Sequence, residues 1–525
     1  MGEILEVLDR RWRNACRVVL KGEVGPLEDY LPYLSEYVEP LFTKKSSLSG
    51  KEVTVAFDDY SKNAKWLSFD ETDYSRKFEP LSINQIKDID SLVDAVSERI
   101  CYSGSVILGN SGHVERSTNV SDSFYAMGIA NMGDCKYLVL NAFGRLSEDC
   151  FGTYGPGESQ FCIRCSQTFR EKRCFEVWNS QNTSDCYYSY GLDACSECFF
   201  SFNLKNRKRC IGNLELDPSK YAQVKDKLLS EIVEKLKKDR RLPGILEIAS
   251  KSRKADLKNL GQCADVEQYA GEDREIIERE FSTTANLILG RELFGMDGYR
   301  AWLERHTHPI EERESAASGA IIYTLRHMIG IPPVPPDRML TIGEAEKLGI
   351  SSMLSQIEAE SISLENAHER IGRIAYFRVD IRTGANANLP ECTACIDSSN
   401  CYRSSGTVYA KYCGYTFWPR SSQHCFGCDS VFDSSFCINC YRSQKLNRCF
   451  ECDNCRDCSD SYFCHNCENV RDSMFCFNSK NLSHAIGNAP VEPGEYKSIK
   501  SMLLSQIGEK LEKKKDLQLD IFNIV

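Results

Sequence analysis

Twenty-four cysteines of this chain obey one arithmetic rule. Nine lie from Cys135 to Cys210 and fifteen from Cys392 to Cys476, and every gap within each group is a multiple of three. A period of three belongs neither to an α-helix, at about 3.6, nor to a flat strand, at about 2. The residues between the cysteines keep the same phase. Every third residue from 389 to 485 is Leu, Cys, Ser, Thr, Ala, Pro or Val, with no charged or aromatic exception. In the first group the phase runs from Val114 to Cys210, broken only by Asn141, Glu171 and Arg207. The rule therefore concerns burial: short straight sides each point one small residue inward, while the other two residues sit at corners or face out.

A coil length is also legible. Cys150, Cys162, Cys174, Cys186, Cys198 and Cys210 recur every 12 residues, as do Cys401, Cys413, Cys425, Cys437 and Cys449. Cys464 follows Cys449 after 15 residues, so one extra triplet, at Cys455 or Cys458, is expected to bulge there before Cys476 resumes the step. Coils stacked at the inter-strand spacing of about 4.8 Å form a parallel β-solenoid too narrow for most large side chains. This geometry resembles the 12-residue-coil β-helix of beetle antifreeze proteins, which also place Cys, Ser and Ala inward. The resemblance covers coil geometry alone, because no Thr-x-Thr array stands here to imply ice binding.

The two Cys-rich segments read as copies. Residues 150–165 align with 413–428 at an offset of 263, and beyond the last coil Ile211-Gly-Asn213 matches Ile486-Gly-Asn488 at 275. Residues 221–236 (YAQVKDKLLSEIVEKL) match 496–511 (YKSIKSMLLSQIGEKL) at the same offset. Each copy thus ends in an amphipathic helix opened by Asp217-Pro218 or Glu492-Pro493, and proline suits a helix start. The expected role of this helix is to cover the open edge of the last coil.

The expected fold is β-solenoid plus α: two duplicated right-handed parallel β-helices, each capped by a helix. The boundaries are an N-terminal, mostly helical segment with a short β element at 1–113, the first solenoid at 114–213 and a capping helix at 214–240. A helical linking domain at 241–388, the second solenoid at 389–485 and a capping helix with its tail at 486–525 complete the chain. Helices are expected at 3–19, 26–41, 81–99, 274–293, 309–329 and 341–374, with a breaker run at 331–336 (IPPVPP). The order of Ser46 to Phe57 (SSLSGKEVTVAF), an aromatic-acidic stretch at 66–74, Cys-rich coils and Phe-Asn-Leu-Lys-Asn at 202–206 resembles uncharacterised cysteine-rich repeat proteins of metagenomic small-genome bacteria. That resemblance covers about 200 residues of the first half. It supports the fold and implies no activity, and the zinc-ribbon cysteines of that group are missing around Ser49-Gly-Lys-Glu52.

Chemistry has few nominees. The chain has 525 residues, a formal charge of −10 and 42% hydrophobic residues, which speaks against a general nucleic-acid binder. No apolar run approaches a membrane span of about 20 residues. The N-terminus carries neither a Sec signal pattern nor a myristoylation pattern, so a cytoplasmic protein, or one held in a virion or other assembly, is expected. With 27 cysteines, metal sites, disulfides and buried thiols all stay open. C-x-x-C pairs are a zinc signal when isolated, yet here the triplet rule generates them. Cys449, Cys452, Cys455 and Cys458, the densest cluster, are the metal candidates, with zinc or an iron-sulfur cluster as the cofactor alternative. A catalytic thiol needs an exposed, electropositive site, and inward cysteines offer none. His306-Thr-His308 gives two histidines that do not share a helix face, and His424, His465 and His484 fall outside the inward phase and are expected in solvent. No P-loop, G-x-G-x-x-G, G-x-S-x-G or H-E-x-x-H motif is present.

The outward residues carry the functional expectation. Phe151, Ile163, Phe175, Tyr187, Phe199 and Ile211 follow the column cysteines, and Tyr402, Gly414, Phe426, Ile438, Phe450 and Phe477 do so in the second copy. Such an apolar ladder exceeds an ordinary surface patch and must be covered, by the chain itself or by a protein partner. The sequence therefore points to a non-catalytic structural or interaction scaffold. A metal-binding protein and an enzyme with a site between the lobes are the alternatives.

Overall fold

Parallel strand pairing at a step of twelve residues dominates the computed structural model, which describes residues 2–82, 86–257, 260, 271–326 and 333–525. In the first Cys-rich segment Lys136 pairs with Glu148, Glu148 with Gln160 and Gln160 with Lys172, and Cys150, Cys162 and Cys174 stand in register. In the second, Cys425, Cys437 and Cys449 do the same. The fold is β plus α, with helices packed against these parallel strands.

The triplet has a backbone cause. The residue just before each inward position is left-handed: Asp149, Gly152, Gly155, Glu158, Phe161 and Arg164 have φ between 52° and 64°. For L-residues this region costs roughly 1–2 kcal/mol each. Hydrogen bonding offsets the cost, since the N–H of such a residue reaches the carbonyl thirteen positions back, as Arg164 N–H does to Phe151 O at 2.9 Å. The following residue then turns its own N–H into the core, where at many positions a side chain meets it.

Serine and cysteine fill that core for this reason. Ser443 Oγ donates to Tyr441 O at 2.7 Å and accepts the Cys455 N–H at 3.0 Å. Cys428 Sγ does the same with Phe426 O, at 3.5 Å, and the Cys440 N–H, at 3.4 Å. A small side chain with one donor and one acceptor satisfies two buried backbone groups at once.

The expected bulge after Cys449 does not form. Asn447 pairs with Ser459, Phe450 with Tyr462, and Ser461 with Ser473, so the twelve-residue step runs on unbroken. The column of Cys449 continues in Ser461 and Ser473, which supply the same hydrogen bonds. Cys464 and Cys476 lie in the neighbouring column with Cys428, Cys440 and Cys452. The outward ladder accordingly continues from Phe450 through Tyr462, Met474 and Ile486, and Phe477 belongs beside it.

Several flanking helices are shorter than expected. Gly2–Leu20 and Gly271–Leu289 are long helices, but 26–41 holds a 3-10 turn, Leu27–Tyr30, leading into the short helix Leu31–Ser35. Within 81–99 the helix is Ile89–Val96, and 83–85 lie outside the described residues. The stretch 309–329 is an antiparallel hairpin, Ile310–Glu314 with Ile321–Leu325, its last residues outside those described. Ile321, Ile322, Tyr323 and Thr324 favour a strand, and Gly319 at φ 73° makes the turn. The helix expected over 341–374 breaks into Ile342–Ser351, Gln356–Ser361 and Ala367–Arg370 because capping boxes at Thr341/Glu344 and Ser355/Glu358 restart it. Of the run 331–336, residues 331 and 332 lie outside the described residues, and Pro336–Arg338 is a 3-10 turn. The linking stretch is therefore mixed rather than helical.

Both parallel arrays end alike. Gly212 and Asn213 have φ of 57° and 68°, and Gly487 and Asn488 have 56° and 67°, forming tight turns that fold a two-residue strand back antiparallel. The exposed edge is closed by this hairpin and not by a helix alone. The helices that follow, Pro218–Asp239 and Pro493–Lys514, are N-capped by Asp217 and Glu492 and stopped by left-handed Arg240 and Lys515.

Candidate functional site

All eight aromatic interface candidates are buried inside the chain. Phe151, Phe175 and Phe199, like Phe426 and Phe450, have no exposed surface, and Tyr187, Tyr402 and Phe477 keep at most 3%. Helix Gly2–Leu20 lies along the first ladder, with Trp12 edge-on to Phe151 at 5.3 Å and Val19 O accepting the Tyr187 hydroxyl at 2.9 Å. Helix Gly271–Leu289 covers the second, with Phe281 at 5.2 Å from Phe426 and Ile288 O accepting the Tyr462 hydroxyl at 3.1 Å. The strip is thus not a surface for a partner. Each buried Phe contributes about 1.5–3 kcal/mol to this packing.

The column cysteines Cys150, Cys162, Cys174, Cys186, Cys198, Cys210, Cys401, Cys413, Cys425, Cys437, Cys449, Cys464 and Cys476 are all buried free thiols. Outside the columns, burial pushes the Cys16 thiol up and the half-buried Cys101 thiol up to about 11, so neither is poised as a nucleophile.

The proposed metal candidates do not converge. Cys455 donates to Asp453 O at 3.3 Å and Cys458 to Arg456 O at 3.2 Å, each bonding its own side of the core. Among the described residues the one set of three metal-type donors within 4.8 Å of one another is Cys162, Cys165 and Glu171. The difference lies in side-chain length. Cys162 and Cys165 are themselves one triplet apart, and what completes their set is the longer Glu171 side chain, which reaches both sulfurs. Glu171 was legible as a break in the inward phase, but only the fold shows what it faces.

Two buried charged clusters hold segments of chain against the outer faces. On the first segment Arg164, wholly buried, lies between the Tyr33 and Tyr37 rings at 3.8 and 3.9 Å and pairs with Glu176 and Glu36 at 2.9 Å each. Burial raises Glu176 to about 7 against the opposing pull of Arg164. On the second segment His465 is wholly buried, against expectation. Its Nδ1 lies 2.9 Å from Asp453, its Nε2 accepts the Ser103 N–H at 2.8 Å, and Arg442 also pairs with Asp453. Glu451 accepts hydrogen bonds from Asn439 and from the Ile521 N–H of the C-terminal tail. His306 bridges Asp520 and Asp59, and His308 bonds Asp429 at 2.9 Å. His424 and His484 are both partly buried rather than free in solvent, His424 beside Glu280 and His484 against the Tyr496 ring at 5.6 Å.

Where the two Cys-rich segments meet, Phe143 packs on Phe417 at 6.1 Å and Trp418 at 5.6 Å, with His308 on Phe417. A surface groove of about 680 Å³ lies elsewhere, beside helix Pro493–Lys514, lined by Asp472, His484, Tyr496 and Lys500. Among the described residues no helix is long and apolar enough to cross a membrane. Comparison with family models, with curated proteins and with solved structures finds no match to this chain.

Proposed function

We propose that the protein is a rigid, non-catalytic scaffold built from two parallel β-solenoids that arose by internal duplication, each clasped by the arm of the other half. One observation carries this reading: contacts between the halves occur in reciprocal pairs offset by 275 residues. The Ile89 N–H donates to Gln506 Oε1 at 2.9 Å, and the Leu364 N–H to Glu231 Oε2 at 2.8 Å. Asn478 Nδ2 donates to Cys101 O at 2.6 Å, and Asn203 Nδ2 to Tyr376 O at 2.8 Å. Tyr102 packs on Phe477 at 5.4 Å, and Phe377 on Phe202 at 6.0 Å.

The element order supports the same reading. A long helix, a 3-10 turn, a short helix and a hairpin precede the first parallel array, and the same succession precedes the second. The hairpins Phe42–Lys45/Glu52–Val55 and Ile310–Glu314/Ile321–Leu325 then correspond, as do the parallel pairs Trp66 with Tyr102 and Met339 with Phe377. The long helices stay on their own solenoids, but residues 89–102 pack on the far one and residues 362–377 do the reverse, so neither half owns a complete core. Rigidity follows, because opening one lobe strips the clasp from the other. The thiol core suits a reducing cytoplasm or the interior of an assembly such as a viral particle, and protein partners would meet the remaining outer faces.

The test is to insert a protease site between residues 257 and 271 of the full chain and cut it under native conditions. The two pieces are expected to co-elute and to unfold in one transition. Pieces that separate in native buffer would overturn the clasped architecture.

A further inference from the structure

We propose that Cys162, Cys165 and Glu171 form a structural zinc site inside the first thiol core. Three facts lead there. The two sulfurs and a Glu171 carboxylate oxygen lie within 4.8 Å of one another. Glu171 is wholly buried, and while its Oε1 accepts the Thr183 hydroxyl at 2.9 Å, its Oε2 has no hydrogen-bond partner. Finally, the coil does not need an acid: the second Cys-rich segment has no charged residue at any inward position from 389 to 485.

A bare carboxylate in this core is costly, since burial and the adjacent thiols both disfavour its charge. A divalent cation reverses that balance. Two thiolates and one carboxylate are a donor set that zinc accepts, with ligand distances of about 2.0–2.3 Å. Cys174 Sγ stands 3.8 Å from Thr183 Oγ1, so a further thiol and a hydroxyl border the three donors. Binding displaces the two thiol protons and the carboxyl proton to solvent and changes no oxidation state. Because the core is closed, the ion must enter as the chain folds and leave only when it unfolds.

The experiment uses the full chain, refolded under reductant with zinc and then treated with a chelator in native buffer. Elemental analysis is expected to find about one zinc per chain, released only on denaturation. The same chain loaded with cobalt should show thiolate-to-cobalt absorption. Glu171→Gln and the double variant Cys162→Ser/Cys165→Ser, with folding checked by circular dichroism, should each retain less than about a tenth of that metal. Cys452→Ser/Cys455→Ser should retain all of it. The site is refuted by a wild-type chain that keeps no metal through native chelation or lacks the cobalt band, and equally by either site variant keeping as much as wild type. None of these outcomes bears on the clasp, which the cutting experiment reads separately.

Discussion

Asn213 caps Phe202 as a peptide would: its Oδ1 accepts the Phe202 N–H at 2.7 Å and its Nδ2 donates to the Phe202 carbonyl at 3.1 Å. Asn488 does the same to Phe477, at 2.7 and 2.8 Å. The side-chain amide takes the place of a neighbouring backbone, so the N–H and carbonyl of Phe202 and of Phe477 are paired where each array stops.

Asn213→Ala and Asn488→Ala should therefore destabilise by similar amounts. Each leaves a buried N–H and a buried carbonyl unpaired and puts alanine at a φ near 67°, a cost of about 2–4 kcal/mol. Denaturant unfolding measures it. A change below about 0.5 kcal/mol at either position would show that the cap carries no weight.

Cysteine and serine should be interchangeable inward but alanine should not. Ser443→Ala removes the partner of both Tyr441 O and the Cys455 N–H, costing about 1–3 kcal/mol, while Ser443→Cys keeps both bonds and should cost less than about 1 kcal/mol. Equal losses for the two variants would mean that size alone governs the core.

Stability should fall toward alkaline pH. Burial alone would lower His308 and His306, but Asp429 outweighs it for the first, and Asp520 and Asp59 for the second. They rise from 6.5 to about 10 and about 9. Burial, with Asp520 nearby, lifts Glu451 from 4.5 to about 8. All three groups hold their protons more tightly folded than unfolded. Glu451's contribution is complete below pH 4.5 and is lost by about pH 8; those of the histidines are complete below pH 6.5 and gone by about pH 10. Unfolding free energies measured from pH 6 to 10 should decline, and His308→Gln should flatten the upper part of that decline. A profile that His308→Gln leaves unchanged would place the titration elsewhere.

The inward phase could be read from residue types because a narrow interior tolerates only small side chains, and Cys401 to Cys449 or Cys150 to Cys210 display it without help. The break after Cys449 is a break in cysteine and not in the column, because Ser461 and Ser473 do the same bonding there. Tyr462 and Met474 were missed in the ladder for the same cause. The left-handed residue before each inward position leaves a partial compositional trace, since Asn, Asp or Gly often occupies it, as at Asn179, Asp185, Asn466 and Gly427, but Phe161, Arg164 and Glu176 stand there too. Of the candidate metal site, Glu171 was visible only as an irregularity.

What the amino-acid order determined by itself is local and periodic: the triplet, the twelve-residue step, the turn at each Gly-Asn pair and the helix starts at Asp217 and Glu492. Each depends on residues a few positions apart or on one steric rule applied repeatedly. Only the tertiary structure decided what covers the ladders, which distant segments touch, and where His465 and Glu171 point. Those outcomes rest on partners such as Ile89 and Gln506, 417 residues apart, and no local preference encodes a contact at that separation.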